Sequence, residues 1–218
     1  MKRLLLYLLS ILVIVSCVEI DPGQKKQESK PSETYTLPER NDCSGITYQL
    51  LVYSFADSDG DGIGDFNGIK AHIDHFKGLG VQALWLSPVH PSSSYHGYDV
   101  VDYTDVNPDY GTMDDFKALL AAAHSAGIKI YLDFVLNHTS WKHPWFLSAK
   151  ASKESDYRDY YFFNGDGSYV CFFDRSMPDI NYGPAATCEQ SEPFKELTAA
   201  ADGWIRMGVD GFRLDRGR

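Results

Sequence analysis

Gly208-Val209-Asp210-Gly211-Phe212-Arg213-Leu214-Asp215 predicts a short, buried β-strand with a charged end, because small and apolar residues run directly into an Arg-x-Asp pair. Side chains two apart share one face of a strand, so Arg213 and Asp215 should lie side by side. The guanidinium would favour the ionised carboxylate and orient it, which a carboxylate nucleophile requires. An isolated pair of this kind is more often a structural feature of a strand end. The rest of the chain must therefore decide between a structural and a catalytic role.

Upstream of this strand, apolar segments alternate with helical patterns. Helical spacing joins Ile69, Ile73 and Phe76, a second helix is predicted from a Thr112 cap to Gly127, and a third from Pro193 to Met207. The other predicted strands are 46–55, 81–86 and 128–136. Such alternation predicts an α/β fold with a parallel sheet covered by helices. Four strand–helix steps make half of an eightfold barrel, and residues 139–190 are too many for an ordinary connection, so they predict an inserted domain after the third strand.

The N-terminus has the pattern of an export signal. Lys2 and Arg3 precede an apolar run, residues 4–15, and a small residue stands directly before Cys17. A buried helix is the weaker alternative, because the run is short, terminal and flanked by basic residues. The segment resembles a bacterial lipoprotein signal, in which Cys17 becomes the lipidated first residue. Residues 18–42 are polar and aperiodic, which predicts a flexible linker, so we expect an exported lipoprotein anchored to a membrane at the cell surface.

Composition narrows the classes of partner. A net charge of -10 argues against nucleic acid, and 44% apolar residues exclude a disordered chain. Aromatic residues make up 14% of the 218 residues; their faces suit sugar rings, although core packing could equally use them. Beyond Cys17 the cysteines are Cys43, Cys171 and Cys188, and export would permit a disulfide. Cys171 and Cys188 are the nearer pair, but the connectivity stays open.

An acidic, glycine-rich loop predicts a calcium site. Its ligands would be four carboxylates and one backbone carbonyl, because glycines let the backbone curl and direct hard oxygen atoms to one centre. A solvated acidic loop is the alternative, but four like charges without a cation would repel one another. The loop is not an EF-hand, since Gly68 replaces the bidentate Glu and a strand precedes it. The predicted ligands are Asp57, Asp59, Asp61, Ile63 and Asp65.

Two further groups follow predicted strands, where barrel enzymes keep their active-site loops. His96 and Tyr98 follow the second strand and could bind and stack on a sugar ring, although such a motif alone is more often structural. Asp133 should be buried in the barrel as a hydrogen-bonded structural acid. Asn137 and His138 should emerge at the carboxyl end of the third strand, where His138 is either a ligand-binding residue or a satisfied core histidine.

Taken together, these residues resemble the alpha-amylase family of glycoside hydrolases. Four of its regions occur in order, and the similarity extends over nearly all of the chain after about Ile46. The regions are 80–88 with the later His96-Gly97-Tyr98, Asp133 to His138, Met177 to Asn181, and Gly211 to Asp215. The resemblance implies a (β/α)8 TIM barrel, divided here into barrel residues 43–138, an inserted domain 139–190 and a continued barrel 191–218.

The same resemblance implies the roles of the site residues. Asp215 would be the nucleophile and Arg213 would position it. Tyr98 would stack under the sugar at the cleavage point, with His96 and His138 bonding its hydroxyl groups. Asn137 and Asp179 match ligands of a second calcium site. The Met-Pro-Asp-x-Asn form points to α-1,4-linked glucans such as starch, and the lipoprotein signal to a cell-surface enzyme that works with other glycan-uptake proteins.

One departure from the family is serious. Retaining hydrolysis needs two carboxylic acids about 5 Å apart, and the family supplies the general acid as a Glu after the fifth strand. The chain contains no such segment, and Arg216-Gly217-Arg218 departs from the usual residues after the nucleophile. We therefore expect a truncated form that lacks the general acid, has no useful activity alone and tends to aggregate. The alternatives are a non-catalytic surface glycan-binding protein and a non-functional fragment.

Overall fold

The structure, a computed structural model, describes residues 45–215. The export signal, Cys17, the linker, Cys43 and residues 216–218 lie outside this range. The strands are β1 (Ile46–Leu50), β2 (Val81–Leu86), β3 (Lys129–Phe134) and β4 (Gly211–Leu214). The helices are α1 (Val52–Phe55), α2 (Phe66–Ala71), α3 (Ile73–Gly78), α4 (Met113–Ser125), α5 (Pro144–Ala151) and α6 (Glu192–Met207), with 3-10 turns at Pro108–Tyr110, Arg158–Tyr160 and Ala185–Gln190.

The predicted α/β fold is confirmed. The four strands form one parallel sheet in the order β1-β2-β3-β4, so each strand pairs with its neighbour in the chain. Leu132 of β3 lies opposite Phe212 of β4, and Asp133 lies opposite Arg213. Parallel strands in chain order, each joined by a helical crossover, are the arrangement of the first part of a (β/α)8 barrel. The carboxyl ends of all four strands therefore meet at one edge.

The core lies between the sheet and the helices. Leu84, Ile130 and Leu132 are fully buried, and Trp204 of α6 packs edge-on against Phe116 of α4 at 5.4 Å. The predicted Thr112 cap is confirmed, and Asp115 completes a capping box at the start of α4. Within the described residues no helix is both long and apolar enough to cross a membrane.

The apolar spacing of the helix predicted from Pro193 to Met207 would place Ile205 inward with Trp204, but Ile205 is 36% exposed. The buried stripe of α6 runs through Pro193, Leu197, Ala200 and Trp204. Ile205 stands about 100° around the helix from Trp204, so it lies beside that stripe rather than in it.

Three predicted segments end or bend earlier than expected. The strand predicted over 46–55 stops at Leu50, and Val52–Phe55 forms a helical turn whose Tyr53 carbonyl accepts a hydrogen bond from the Gly64 amide at 2.7 Å. The helix around Ile73 is split in two at His72, whose Nδ1 lies 2.8 Å from the Gly68 carbonyl. The third strand ends at Phe134 rather than at residue 136. The bond from Gly64 to Tyr53 is a contact beyond the local segment, and there tertiary structure outweighs local propensity.

An isolated antiparallel bridge between His138 and Asp179 links the loop directly after β3 to the inserted segment. A second bridge, between Tyr161 and Ile180, lies within the segment itself. The disulfide considered for Cys171 and Cys188 is not formed, because both residues are free thiols. The two cysteines lie in different local structures, Cys188 within a 3-10 turn and Cys171 just after the short Phe163–Tyr169 bridge, so their order in the chain said little about pairing.

Candidate active site

The Arg-Asp pair forms as the parity of the last strand predicts. Arg213 Nη1 donates to Asp215 Oδ1 at 2.6 Å, and the same nitrogen lies 3.0 and 3.1 Å from the two carboxylate oxygens of Asp133. Asp133 reaches it because β3 pairs with β4 in a register that places the two residues opposite each other. A single guanidinium nitrogen therefore holds two carboxylates at the carboxyl end of the sheet.

Asp133 is the buried anchor of this group, as the sequence predicted. It is fully buried and also accepts hydrogen bonds from Trp85 Nε1 at 3.2 Å and from the Tyr98 hydroxyl at 2.9 Å. Burial raises the pKa of Asp133 above its ordinary value, and the hydrogen bonds from Arg213 and Tyr98 only partly offset that effect. Both of its carboxylate oxygens already accept hydrogen bonds, so Asp133 acts as a structural acid.

Tyr98 and His96 form a small aromatic platform beside this group. Burial, reinforced by the Asp133 charge, raises the pKa of Tyr98 to about 12, so its hydroxyl is a neutral donor to Asp133. The His96 ring lies 5.9 Å from the Tyr98 ring, and its Nδ1 lies 3.1 Å from the Tyr98 amide nitrogen. A backbone N–H always donates, so Nδ1 is the acceptor and Nε2 carries the proton of the neutral ring.

His138 is almost completely buried, with 1% of its surface exposed. Its Nε2 lies 3.2 Å from the Tyr98 carbonyl oxygen, and its Nδ1 lies 3.3 Å from the Asn137 amide nitrogen. Burial lowers the pKa of His138, which favours the neutral ring. Both ring nitrogens are therefore used to support Tyr98 and Asn137, and the contact between His138 and a sugar stays a prediction.

Asn137 and Asp179, the two residues matched to a second calcium site, are brought together. The Asn137 amide nitrogen donates to Asp179 Oδ1 at 3.1 Å, although the residues are 42 positions apart. The Phe172 amide donates to the same oxygen at 3.1 Å. Both side chains are buried where β3 meets the inserted segment. Calcium binding by this pair stays a prediction.

The acidic loop brings three of its four carboxylates together. Oxygen atoms of Asp57, Asp59 and Asp61 all lie within 4.8 Å of one another, on exposed side chains. Hydrogen bonds from the Gly60 and Gly62 amides lower the pKa of Asp57, which keeps it ionised. Ionised carboxylates are acceptors only, so this donor set fits a hard cation such as Ca²⁺.

Asp65 has a different place in the structure. Its carboxylate caps α2 by accepting from the Gly68 amide at 2.7 Å, and it also accepts from the amide and hydroxyl of Ser58 at 2.7 and 2.8 Å. These bonds tie the loop to the helix that follows. Asp65 and Ile63 stay predicted ligands, outside the group of three.

Sequence reasoning missed the contribution of Trp85. Its ring lies under the Arg213 guanidinium at 5.1 Å, and its indole nitrogen donates to Asp133. An aromatic face attracts a cation, so Trp85 fixes the arginine from a second direction. Trp85 is the next-to-last residue of strand β2, close to the carboxyl end where the site lies, and this position was the one indication of its role. A Trp in a buried strand, however, usually packs in the core.

Comparison with known proteins identifies relatives of this chain. A family model described as the catalytic domain of alpha amylase matches residues 49–218. Alpha-amylase SusG of Bacteroides thetaiotaomicron is 56% identical over 86% of this chain and 27% of its own length. Alpha-amylase 3 of Dictyoglomus thermophilum is 47% identical over 79% of this chain and 36% of its own length. The chain thus spans about a third of the length of these curated relatives.

A solved structure supports the same fold. The crystal structure of the alpha-amylase from H. orenii matches with a TM-score of 0.70 and 43% identity, over 78% of this chain and 40% of that chain. The four-stranded parallel sheet and its helices therefore match part of that solved structure.

Proposed function

The chain belongs to the alpha-amylase family of glycoside hydrolases, and we propose that it forms part of an enzyme that hydrolyses α-1,4-linked glucans such as starch and maltodextrin. The observation that carries this proposal is the Arg213-held Asp215 carboxylate at the carboxyl end of β4, beside the Tyr98 and His96 platform. Asp215 is close to the surface of the site, with 13% of its side chain exposed.

In the proposed reaction, Asp215 attacks the anomeric carbon of a glucose unit. Arg213 holds Oδ1, which orients Oδ2 for attack. The bond from that carbon to the leaving oxygen breaks, and the leaving oxygen takes a proton from a general acid. Water then hydrolyses the glycosyl-enzyme ester with net retention. The resemblance assigns the general acid to a residue after a fifth strand, outside the described range.

Binding of the sugar is assigned to the aromatic platform. Tyr98 would stack on the apolar face of the ring at the cleavage point. His96 would donate from Nε2 to a sugar hydroxyl, because its Nδ1 accepts from the Tyr98 amide. His138, whose Nε2 lies 3.2 Å from the Tyr98 carbonyl oxygen, would contact the same sugar, as the resemblance implies.

The proposed enzyme also binds calcium in its acidic loop and is exported from the cell. Calcium held by Asp57, Asp59 and Asp61, with Asp65 and Ile63, would stiffen the loop before α2 and supply no chemistry at the cleavage point. Export and lipidation at Cys17 are supported by the basic and apolar pattern of the first residues. The enzyme would then work at the cell surface beside other glycan-uptake proteins.

A second candidate is glycan binding without cleavage. The observation that favours it is the pair of adjacent aromatic rings, Tyr98 and His96, which Tyr98 fixes to the buried Asp133 at the carboxyl end of the sheet. A protein that uses this platform alone would bind α-glucans and release nothing.

The test uses protein expressed from the complete gene that contains these 218 residues. It is incubated with amylose, pullulan and maltoheptaose, and the released sugars and their anomeric form are followed by NMR. We expect α-configured products from α-1,4 linkages and loss of turnover in Asp215→Asn. The matched control is Asp202→Asn, an exposed acid on α6 that should keep full activity.

The outcomes separate the candidates. Inverted products would contradict a retaining mechanism. Retardation in an amylose-containing gel without any cleavage by the wild type would favour the glycan-binding candidate. Full activity in Asp215→Asn would remove Asp215 from the reaction.

A further inference from the structure

The loop that follows β3 carries Asn137 and His138 but has left the sheet. The last carbonyl of β3, that of Phe134, accepts from the Asp215 amide at 3.1 Å. Beyond it, the carbonyls of residues 135–138 no longer pair with β4, and buried carbonyls without partners are costly. How these oxygens are satisfied determines where the two side chains point.

Tyrosine hydroxyls satisfy most of them. The Tyr103 hydroxyl lies 2.9 Å from both the Val135 and the His138 carbonyl oxygens, so its one proton is shared in a three-centre bond. The Tyr182 hydroxyl donates to the Leu136 carbonyl at 2.5 Å. The Asn137 carbonyl accepts from the Ile180 amide at 2.9 Å.

A third tyrosine holds the end of the loop. The Tyr161 hydroxyl lies 2.8 Å from the Thr139 hydroxyl, which itself donates to the Ser140 carbonyl. Burial raises the pKa of Tyr103, Tyr161 and Tyr182 above the ordinary value, so all three remain protonated donors. Tyr103 lies between β2 and α4, and the other two tyrosines lie in the segment between β3 and α6, so all three reach the loop only in the folded protein.

Tyr103 also connects this loop to the nucleophile side of the site. Its own carbonyl accepts from Trp204 Nε1 at 2.7 Å, and Trp204 lies in α6, which leads into β4. On the other side, the loop positions the His138 ring, whose Nε2 lies 3.2 Å from the Tyr98 carbonyl. A line of contacts therefore runs from Tyr103 through His138 to Tyr98, and Tyr98 bonds Asp133.

We propose that Tyr103, supported by Tyr182, is a positioning residue for this site, holding the 135–139 loop so that His138 and Tyr98 meet the sugar in the productive geometry. This inference rests on the proposed function. None of the tyrosine hydroxyls needs to touch substrate, because each acts on the loop backbone. A displacement of about 1 Å in such a support can cost about a hundredfold in rate.

The test compares Tyr103→Phe with Tyr110→Phe in the protein from the complete gene. Tyr110 is equally buried, but among residues 45–215 its hydroxyl has no hydrogen-bond partner within bonding distance and angle. We expect Tyr103→Phe to lower kcat/KM for maltoheptaose at least about tenfold, at a temperature where both variants are folded, and to speed amide hydrogen exchange in residues 135–141. Tyr110→Phe should change neither quantity.

Each outcome is decisive. Faster exchange with an unchanged kcat/KM would show a purely structural role and overturn the proposal, as would unchanged exchange. If Tyr103→Phe fails to fold, Tyr182→Phe, which loses one bond only, takes its place with the same expectations.

If the wild type cleaves nothing, the hydrolase proposal is wrong, but the affinity for maltoheptaose still tests the positioning role of Tyr103. Maltoheptaose affinity measured by calorimetry should then fall at least about fivefold in Tyr103→Phe and stay constant in Tyr110→Phe. Equal affinities would overturn the positioning role, and a wild type that neither cleaves nor binds would overturn both proposals.

Discussion

At the scale of single residues, Arg213 is the centre of the site because one of its nitrogens is shared by two carboxylates with different surroundings. Asp133 is fully buried, whereas Asp215 keeps 13% of its side chain exposed. The buried acid anchors the arginine, and the arginine orients the accessible acid. Trp85 under the guanidinium completes the arrangement. The difference in exposure separates a structural carboxylate from one that can react.

This division predicts different results for two similar substitutions. Asp133→Asn should lower the free energy of unfolding by about 1.5 to 3 kcal/mol, the range for hydrogen bonds to charged groups, and also reduce turnover, because Arg213 loses its buried partner. Asp215→Asn should abolish turnover with a smaller loss of stability. Urea denaturation and glucan hydrolysis measure the two effects. A larger loss of stability in Asp215→Asn would contradict the assignment.

A buried histidine predicts how stability depends on pH. His90 is fully buried between Tyr103, Phe134 and Trp204, and burial lowers its pKa to about 4, although the Asp105 carbonyl and the Asp102 charge act in the opposite direction. The folded pKa lies below the unfolded value of about 6.5, so protonation favours the unfolded chain. The stabilisation should be complete above about pH 6.5 and fall by up to about 1.4 kcal/mol per pH unit towards pH 4.

Urea denaturation at several pH values checks this prediction. The variant His90→Gln cannot titrate, so its stability should fall less steeply between pH 6.5 and 4 than that of the wild type. His143, whose pKa burial also lowers to about 4, would keep part of the slope in that variant. An identical slope in wild type and His90→Gln would exclude His90 as a contributor.

At the scale of elements, the acidic loop is built almost entirely from its own residues. The Asp57, Asp59 and Asp61 carboxylates accept from backbone amides two to five positions later. Gly60 and Gly62 adopt positive φ angles of 87° and 91°, which glycine tolerates best. The loop is thus shaped to gather negative charge, which is unfavourable unless a cation compensates it.

We therefore predict that calcium stabilises the protein through this loop. At a calcium concentration about a hundred times the dissociation constant, the gain should be about 2.7 kcal/mol and should vanish with a chelator. Asp59→Asn should weaken the response of the melting temperature to calcium. Asp114→Asn, which alters a highly exposed acid on α4, is the matched control and should respond as the wild type does. Equal responses in both variants would place calcium elsewhere.

At the scale of the whole molecule, the described sheet has two edges. β1 and β4 each pair with one neighbour only among residues 45–215. Ile46 and Leu214 on these edge strands are 56% and 49% exposed. Unpaired edge strands with exposed apolar side chains tend to pair with other chains.

The 218 residues expressed alone should therefore associate. Light scattering after size exclusion should show species larger than a monomer that grow with concentration, and the preparation should release no sugar from starch. Leu214→Lys should reduce association, because a charge on an edge strand opposes pairing. A monodisperse monomer, or clear starch turnover by this chain, would contradict the prediction.

The sequence by itself determined features that depend on neighbouring residues. Alternating helix and strand patterns gave the parallel sheet, Thr112 began its helix as predicted, and strand parity placed Arg213 beside Asp215. The clustering of Asp57, Asp59 and Asp61 likewise follows from glycines and amides within a few positions. Side chains repeat with a fixed period along a helix or a strand, so features set by neighbouring residues can be inferred without knowing the fold.

Only the tertiary structure decided which distant groups meet. Arg213 reaches Asp133 across 80 residues, and Tyr103 holds the carbonyl of His138 across 35 residues. The strand predicted over 46–55 shortened because Gly64 donates to Tyr53, and the free thiols of Cys171 and Cys188 could not be inferred from their spacing. Such contacts depend on how loops close in space, and loop closure leaves no periodic trace in a single chain.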